Sequence, residues 1–94
     1  MATIVSRHVR IKGRVQGVWY RGWTLNNATK HGLSGWVRNR IDGTVEAVFC
    51  GPEKQVESMI EACYSGPPSA KVTNVEVKAG SPVSEASFQQ LPTL

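Results

Sequence analysis

Apolar and polar residues alternate along the first predicted strand, which covers residues 8–14. Val9 and Ile11 fall on one face, as expected for a strand with one buried side. The opposite face carries only basic or imidazole side chains: His8, Arg10, Lys12 and Arg14. The pattern therefore predicts an amphipathic strand with a basic open face.

Two later segments have the apolar spacing of helices. Trp23 and Ala28 belong to a first helix that is stopped by Gly32, a residue typical of helix C-termini. A second helix is predicted over residues 52–65, with Pro52 at its first position. Its apolar stripe consists of Val56, Met59, Ile60 and Cys63. Each helix is therefore expected to pack its apolar face against a sheet.

The remaining chain contains signals for four more strands. Residues 34–41 and 44–50 indicate a hairpin, because the Asp42-Gly43 dipeptide between them tolerates positive φ angles. Another strand is indicated by three valines: Val72, Val75 and Val77. A short final strand is predicted over residues 85–91.

The predicted order is β-α-β-β-α-β with a short C-terminal strand. This is an α+β, ferredoxin-like split-βαβ sandwich, in which an antiparallel sheet carries both helices on one face. No linker or repeat divides the sequence, so residues 1–94 are predicted to form a single domain. Because this fold hosts many activities, function has to be argued from particular residues.

The net charge of the chain favours one broad class of partner but does not identify a particular partner. Lysine and arginine number 11 and aspartate and glutamate 7, which gives a formal net charge of +4 and favours anionic partners. No apolar stretch approaches the roughly 20 residues that span a bilayer, so a soluble, cytoplasmic protein is expected. Cys50 and Cys63 lack the spacing of metal or redox motifs and are expected to be buried, reduced thiols.

A candidate anion site lies in residues 16–21, between the first strand and the first helix. Such a turn can point several backbone N–H groups inward, and the helix N-terminus adds partial positive charge. Arg21 carries a planar guanidinium that can bind two phosphate oxygens at once. The loop alone is equally compatible with an ordinary turn and a solvated arginine.

Asn39 is the second candidate, because strand parity groups it with Val37 and Ile41 on the helix-covered side. A polar amide in that position needs a partner. It could cap a local turn beside the hairpin. It could also orient a water molecule beside a bound phosphate, since an amide offers both an acceptor and donors.

At these two segments the chain resembles the acylphosphatase family. The family signature G-x-V-Q-G-V-x-[FY]-R is matched in full by Gly13, Val15, Gln16, Gly17, Val18, Tyr20 and Arg21. The signature G-[FYW]-[AVC]-[KRQAM]-N-x(3)-G-x-V-x(5)-G is matched by Gly35, Trp36, Val37, Arg38, Asn39, Gly43, Val45 and Gly51. The resemblance covers nearly the whole chain, although residues 87–94 lack the aromatic and basic tail of many relatives.

The resemblance implies a hydrolase that converts an acyl phosphate and water to a carboxylate and phosphate without a metal ion or cofactor. Arg21 would hold the phosphate and Asn39 would orient the attacking water. The implied phosphate-binding residues are Gln16, Gly17, Val18, Trp19, Tyr20 and Arg21. Small acyl phosphates are the expected partners, with inorganic phosphate as product inhibitor. Binding to metal, nucleic acid or membrane is not expected, and the chain is expected to be a monomer.

Two alternatives stay open at this point. RNA-recognition domains share the element order, and the open sheet face would carry Arg10, Lys12, Arg14, Trp36, Arg38 and Arg40. Those domains stack bases on aromatic residues of the middle strands, whereas Glu46 and Val48 face outward here. The other alternative is a non-catalytic acylphosphatase-like module that handles carbamoyl phosphate, as domains with these motifs do in hydrogenase maturation.

Overall fold

A computed structural model describes residues 3–83 and 86–94. The elements in chain order are β1 (Ile4–Arg14), α1 (Tyr20–Lys30), β2 (Ser34–Asn39), β3 (Val45–Pro52), α2 (Glu53–Cys63), β4 (Lys71–Ala79) and β5 (Phe88–Gln90). The strands form one sheet in the order β4-β1-β3-β2-β5. The predicted α+β, ferredoxin-like plan is confirmed.

The sheet is mixed, because its last strand differs in direction from the others. β1 pairs antiparallel with β3 and β4, and β2 pairs antiparallel with β3. β5 pairs in parallel with β2, from Gly35 opposite Phe88 to Val37 opposite Gln90. The antiparallel prediction therefore holds for the four long strands only. The predicted final strand began at residue 85, which lies outside the described residues.

The core lies between the sheet and the two helices. α1 packs on β2 and β5, and α2 packs on β1 and β3. The fully buried sheet residues are Val9, Ile11, Val37, Val45, Ala47 and Phe49. The helices contribute Ala28, Val56, Met59 and Cys63. The alternation in β1 and the stripe in α2 thus correctly identified the buried faces, whose removal from water is the main stabilising term.

Several element boundaries differ from the sequence prediction: β1 begins at residue 4 and not 8, β3 covers residues 45–52 and not 44–50, α2 ends at residue 63 and not 65, and β5 ends at residue 90 and not 91. Two further differences, at the end of β2 and the start of α2, have a clear local cause. β2 ends at Asn39 because the Asp42 carboxylate accepts hydrogen bonds from the backbone N–H and hydroxyl of Thr44, which build the turn. Ile41 therefore lies in that turn, 87% exposed, and not on the helix-covered face. Pro52 keeps an extended conformation and is the N-cap of α2, so the helix begins one residue later than predicted.

The two cysteines are both free, and they differ in burial. Cys63 is fully buried, and burial raises the pKa of its thiol to about 12. Cys50 is only half-buried, so the expectation of two buried thiols holds for Cys63 alone.

Candidate active site

The loop between β1 and α1 has an unusual backbone. Gly17 has a φ of 73° and Trp19 a φ of 66°, while Val18 between them keeps a negative φ. Successive residues whose φ angles alternate in sign can turn their N–H groups toward one concave side, as in an anion-binding nest. Glycine adopts a positive φ at no steric cost, whereas a residue as large as Trp19 does so rarely.

The N–H groups of this segment are unpaired. None of the backbone N–H groups of residues 16–22 donates to another described residue. The N-terminus of α1 also has no side-chain cap, because its N-cap is Trp19. Free N–H groups at a helix N-terminus attract anions, and the helix dipole adds to that attraction.

Arg21 and Asn39 line the same pocket at this loop. Arg21 extends from the first turn of α1, and Asn39 is the last residue of β2. Neither side chain has a hydrogen-bond partner or an ion pair among the described residues. The complete lining is Val15, Gln16, Gly17, Trp19, Tyr20, Arg21, Gly22, Asn39 and Gln90. The two candidates thus face one cavity with their polar groups available.

The side chains of Gln16 and Tyr20 donate hydrogen bonds to backbone oxygens elsewhere in the fold, so these residues offer the pocket their backbone N–H groups. The side-chain amide of Gln16 donates to the backbone oxygens of Arg40, at 2.8 Å, and Thr44, at 2.9 Å. The Tyr20 hydroxyl donates to the backbone oxygen of Cys63 at 2.5 Å, and burial raises its pKa. Val18 is buried in the core and does not line the pocket.

The backbone of Asn39 is held from both sides. It pairs with Val45 in β3, and its carbonyl accepts a hydrogen bond from Leu94 at 3.2 Å. Leu91 donates in the same way to Val37 at 2.9 Å. The C-terminal residues therefore fix the strand end that carries Asn39.

Gln90 is a pocket residue that the sequence did not reveal. It lies in β5, at the edge strand that pairs in parallel with β2. A three-residue strand has no usable periodicity, and its position beside β2 depends on a contact between distant parts of the chain. No signal within the sequence alone would have singled it out.

The open face of the sheet contains a buried carboxylate. Glu46 lies at its centre, and its carboxylate oxygens are 2.6 Å from His8 Nε2 and 2.9 Å from Arg38 Nε. Burial acts to raise the pKa of Glu46, but the hydrogen bonds from His8 and Arg38 outweigh it and hold the pKa below its usual value. Arg10 and Arg40 approach the same carboxylate at 3.5 and 3.4 Å. Much of the basic character of this face is thus paired internally, which argues against an RNA-binding surface.

Among the described residues, no three His, Cys, Asp or Glu side chains come together in a way that could hold a metal ion. No helix in residues 3–83 or 86–94 is long and apolar enough to cross a membrane.

A ferredoxin-like sheet with unpaired N–H groups at its first β-to-α turn defines a small α+β fold with a candidate anion site. Comparison with known proteins is more specific. The family model for acylphosphatase matches residues 7–90. The chain therefore belongs to the acylphosphatase family and is an enzyme of the hydrolase class.

Individual relatives agree with the family match. An acylphosphatase from Rhodospirillum rubrum is 57% identical over 86 residues, which are 92% of this chain and 94% of the relative. The structure of an acylphosphatase from Coxiella burnetii superposes with a TM-score of 0.90 at 33% identity, covering 94% of this chain and 93% of that chain. Full-length HypF in its phosphate- and nucleotide-bound form gives a TM-score of 0.89 at 28% identity, covering 99% of this chain and 12% of that chain.

Proposed function

We propose that this enzyme hydrolyses acyl phosphates by direct attack of water on a phosphate held in the pocket of Arg21 and Asn39. The observation that carries the proposal is the juxtaposition of unpaired N–H groups with two unpaired polar side chains around one cavity. A bound phosphate with a water molecule beside it would supply partners for the pocket-lining groups.

The loop and Arg21 bind the phosphoryl oxygens. Phosphate accepts hydrogen bonds through several oxygens, and the loop residues that line the pocket offer it their free N–H groups. Arg21 adds a fixed positive charge and a bidentate fork. These fixed dipoles also stabilise the charge of the transition state, because they need no reorganisation as the reaction proceeds.

Asn39 orients the nucleophile. Its amide oxygen accepts a hydrogen bond from a water molecule, and its N–H group donates to the same water or to a phosphoryl oxygen. Asn39 extends from β2 and the loop from β1 and α1, so the water and the phosphate are held by separate elements. Fixing both reactants in an in-line arrangement removes most of the entropic cost of the encounter.

The reaction needs little further assistance. The water oxygen forms a bond to phosphorus, the bond from phosphorus to the acyl oxygen breaks, and the carboxylate leaves with the electron pair. The proton of the water passes to solvent or to the phosphate product. A carboxylate whose conjugate acid has a pKa of about 4 departs as a stable anion without a general acid. Arg21 and the N–H groups supply the positive charge that the developing transition state requires, so the mechanism is proposed to be independent of metal.

Phosphate release from benzoyl phosphate in EDTA tests this function, with glycerol phosphate as the comparison substrate. An alkyl phosphate has a far more basic leaving group and needs an acid or metal, so its kcat/KM should be lower by orders of magnitude. Inorganic phosphate should inhibit competitively. Equal kcat/KM values, or activity that requires added Mg²⁺ or Zn²⁺, would contradict the proposal. A folded sample that binds phosphate but releases none from benzoyl phosphate would favour the non-catalytic module.

A further inference from the structure

Trp19 stands apart from the other residues of the pocket. It is the only described non-glycine residue with a positive φ, and it is 62% exposed. The other exposed lining residues are Gly17 and Gln90, a glycine and an amide. Trp19 is therefore the one exposed apolar side chain among the described residues around this pocket.

The indole ring lies against the first turn of α1. A Cβ atom at Gly22 would come within 2.6 Å of Cε2 and 2.8 Å of Cδ1 of Trp19, and closer still to its ring nitrogen. Glycine is unfavourable inside a helix, because it loses more backbone freedom than any other residue. Gly22 thus gives the ring the space that any larger residue would occupy.

The ring is not needed for packing of the core. Tyr20 and Trp23 pair with each other, with ring centroids 5.4 Å apart, and Trp19 has no aromatic partner among the described residues. Trp19 also lies outside the buried cluster and the residues that pack against it. Residue 19 has an unfavourable positive φ, and residue 22 is a glycine inside a helix. Together these two features leave an aromatic side chain exposed at the pocket.

We propose that the Trp19 ring is a platform for the acyl group of the substrate. The inference rests on the proposed hydrolysis of acyl phosphates, because it assumes that the phosphate occupies the loop. With the phosphate held there, the acyl group extends to the exposed side of the pocket, where Trp19 offers a flat apolar surface. Aromatic acyl groups stack on such a surface, whereas an acetyl group is too small to cover it. Trp19 is thus a specificity-determining residue that favours aromatic substrates.

The test is the ratio of kcat/KM for benzoyl phosphate to kcat/KM for acetyl phosphate. Trp19→Asn removes the ring, and asparagine tolerates a positive φ, so the loop conformation is retained. The ratio should fall about tenfold in this variant, the equivalent of one stacked aromatic contact. Trp19→Phe should keep the ratio within about twofold of wild type, because the stacking surface persists. Gly22→Ala should also lower the ratio, since it displaces the ring without removing it.

An unchanged ratio in Trp19→Asn, whether both rates fall or neither does, would overturn the proposal and leave Trp19 with a role in loop geometry only. If Trp19→Asn does not fold, Gly22→Ala decides in the same way. Wild-type enzyme that hydrolyses neither substrate would refute the proposed function instead. In that case calorimetry can still test the platform, through the ratio of the affinity for phenylphosphonate to the affinity for methylphosphonate. If Trp19→Phe and Trp19→Asn change this affinity ratio equally, the platform proposal is contradicted.

Discussion

The side-chain amide of Gln16 donates to the backbone oxygen of Arg40 at 2.8 Å. Arg40 directly follows Asn39, so this hydrogen bond joins the proposed phosphate loop to the strand end that carries the proposed water-orienting residue. A second bond from the same amide reaches Thr44 in the same hairpin. Gln16 therefore sets the relative position of two segments that are far apart in the chain.

Gln16→Ala should loosen the loop from the hairpin. The expected loss is about 1–2 kcal/mol in the free energy of unfolding, from two hydrogen bonds. We expect kcat/KM for benzoyl phosphate to fall by about tenfold or more, because small displacements between reactants are costly. Gln55→Ala, at an exposed position of α2, is the matched control and should change neither quantity. Full activity in a Gln16→Ala variant of reduced stability would show that the connection is structural only.

Arg21→Lys should nearly abolish activity. Lysine keeps the positive charge but loses the planar fork, so kcat/KM should fall on the order of 100-fold and the inhibition constant of phosphate should rise. Arg14→Lys makes the same chemical change at an exposed residue of β1, outside the pocket, and should be silent. Wild-type turnover in Arg21→Lys would disprove the role assigned to the guanidinium.

Glu46 should make stability depend on pH. Its pKa is held below the ordinary value of 4.5 in the folded protein, so its ionised form stabilises the fold above that pH. The contribution is lost as the pH falls below 4.5 through the lowered pKa. Glu46→Gln should therefore reduce the free energy of unfolding by roughly 1–3 kcal/mol at neutral pH, because it leaves several cations facing one another.

Chemical denaturation of wild type and Glu46→Gln across acidic and neutral pH measures this difference. It should shrink as the pH falls below 4.5, where Glu46 becomes protonated. Glu76→Gln removes the exposed partner of Lys12 and should have little effect, since exposed pairs are screened by solvent. A Glu46 effect that does not change with pH would mean that the substitution acts through packing and not through charge.

The sequence predicted those parts of the fold that depend on local pattern. The alternation of Val9 and Ile11 identified the buried face of β1, and the Asp42-Gly43 dipeptide located the hairpin turn. Arg21 and Asn39 were singled out by motif and parity, and the structure places both at one pocket. Their catalytic roles remain predictions.

Features that depend on contacts between distant strands were not predictable. Parity showed that Glu46 faces outward, but only the register of β1, β2 and β3 shows that cations from both neighbouring strands meet there. Gln90 entered the pocket through a parallel pairing that a three-residue strand cannot signal. Trp19 occupies a free position of the motif, so its exposure depends on the backbone of the loop and on Gly22.

Asn39→Ala tests the central division of roles between phosphate binding and water positioning. The measurement is kcat for benzoyl phosphate together with the inhibition constant of inorganic phosphate, in EDTA, with Asn74→Ala on β4 as an exposed control. We predict that kcat falls on the order of 100-fold while the inhibition constant stays within about twofold of wild type, because only the oriented water is lost. Retained turnover, or a loss of phosphate affinity in parallel with turnover, would contradict the account.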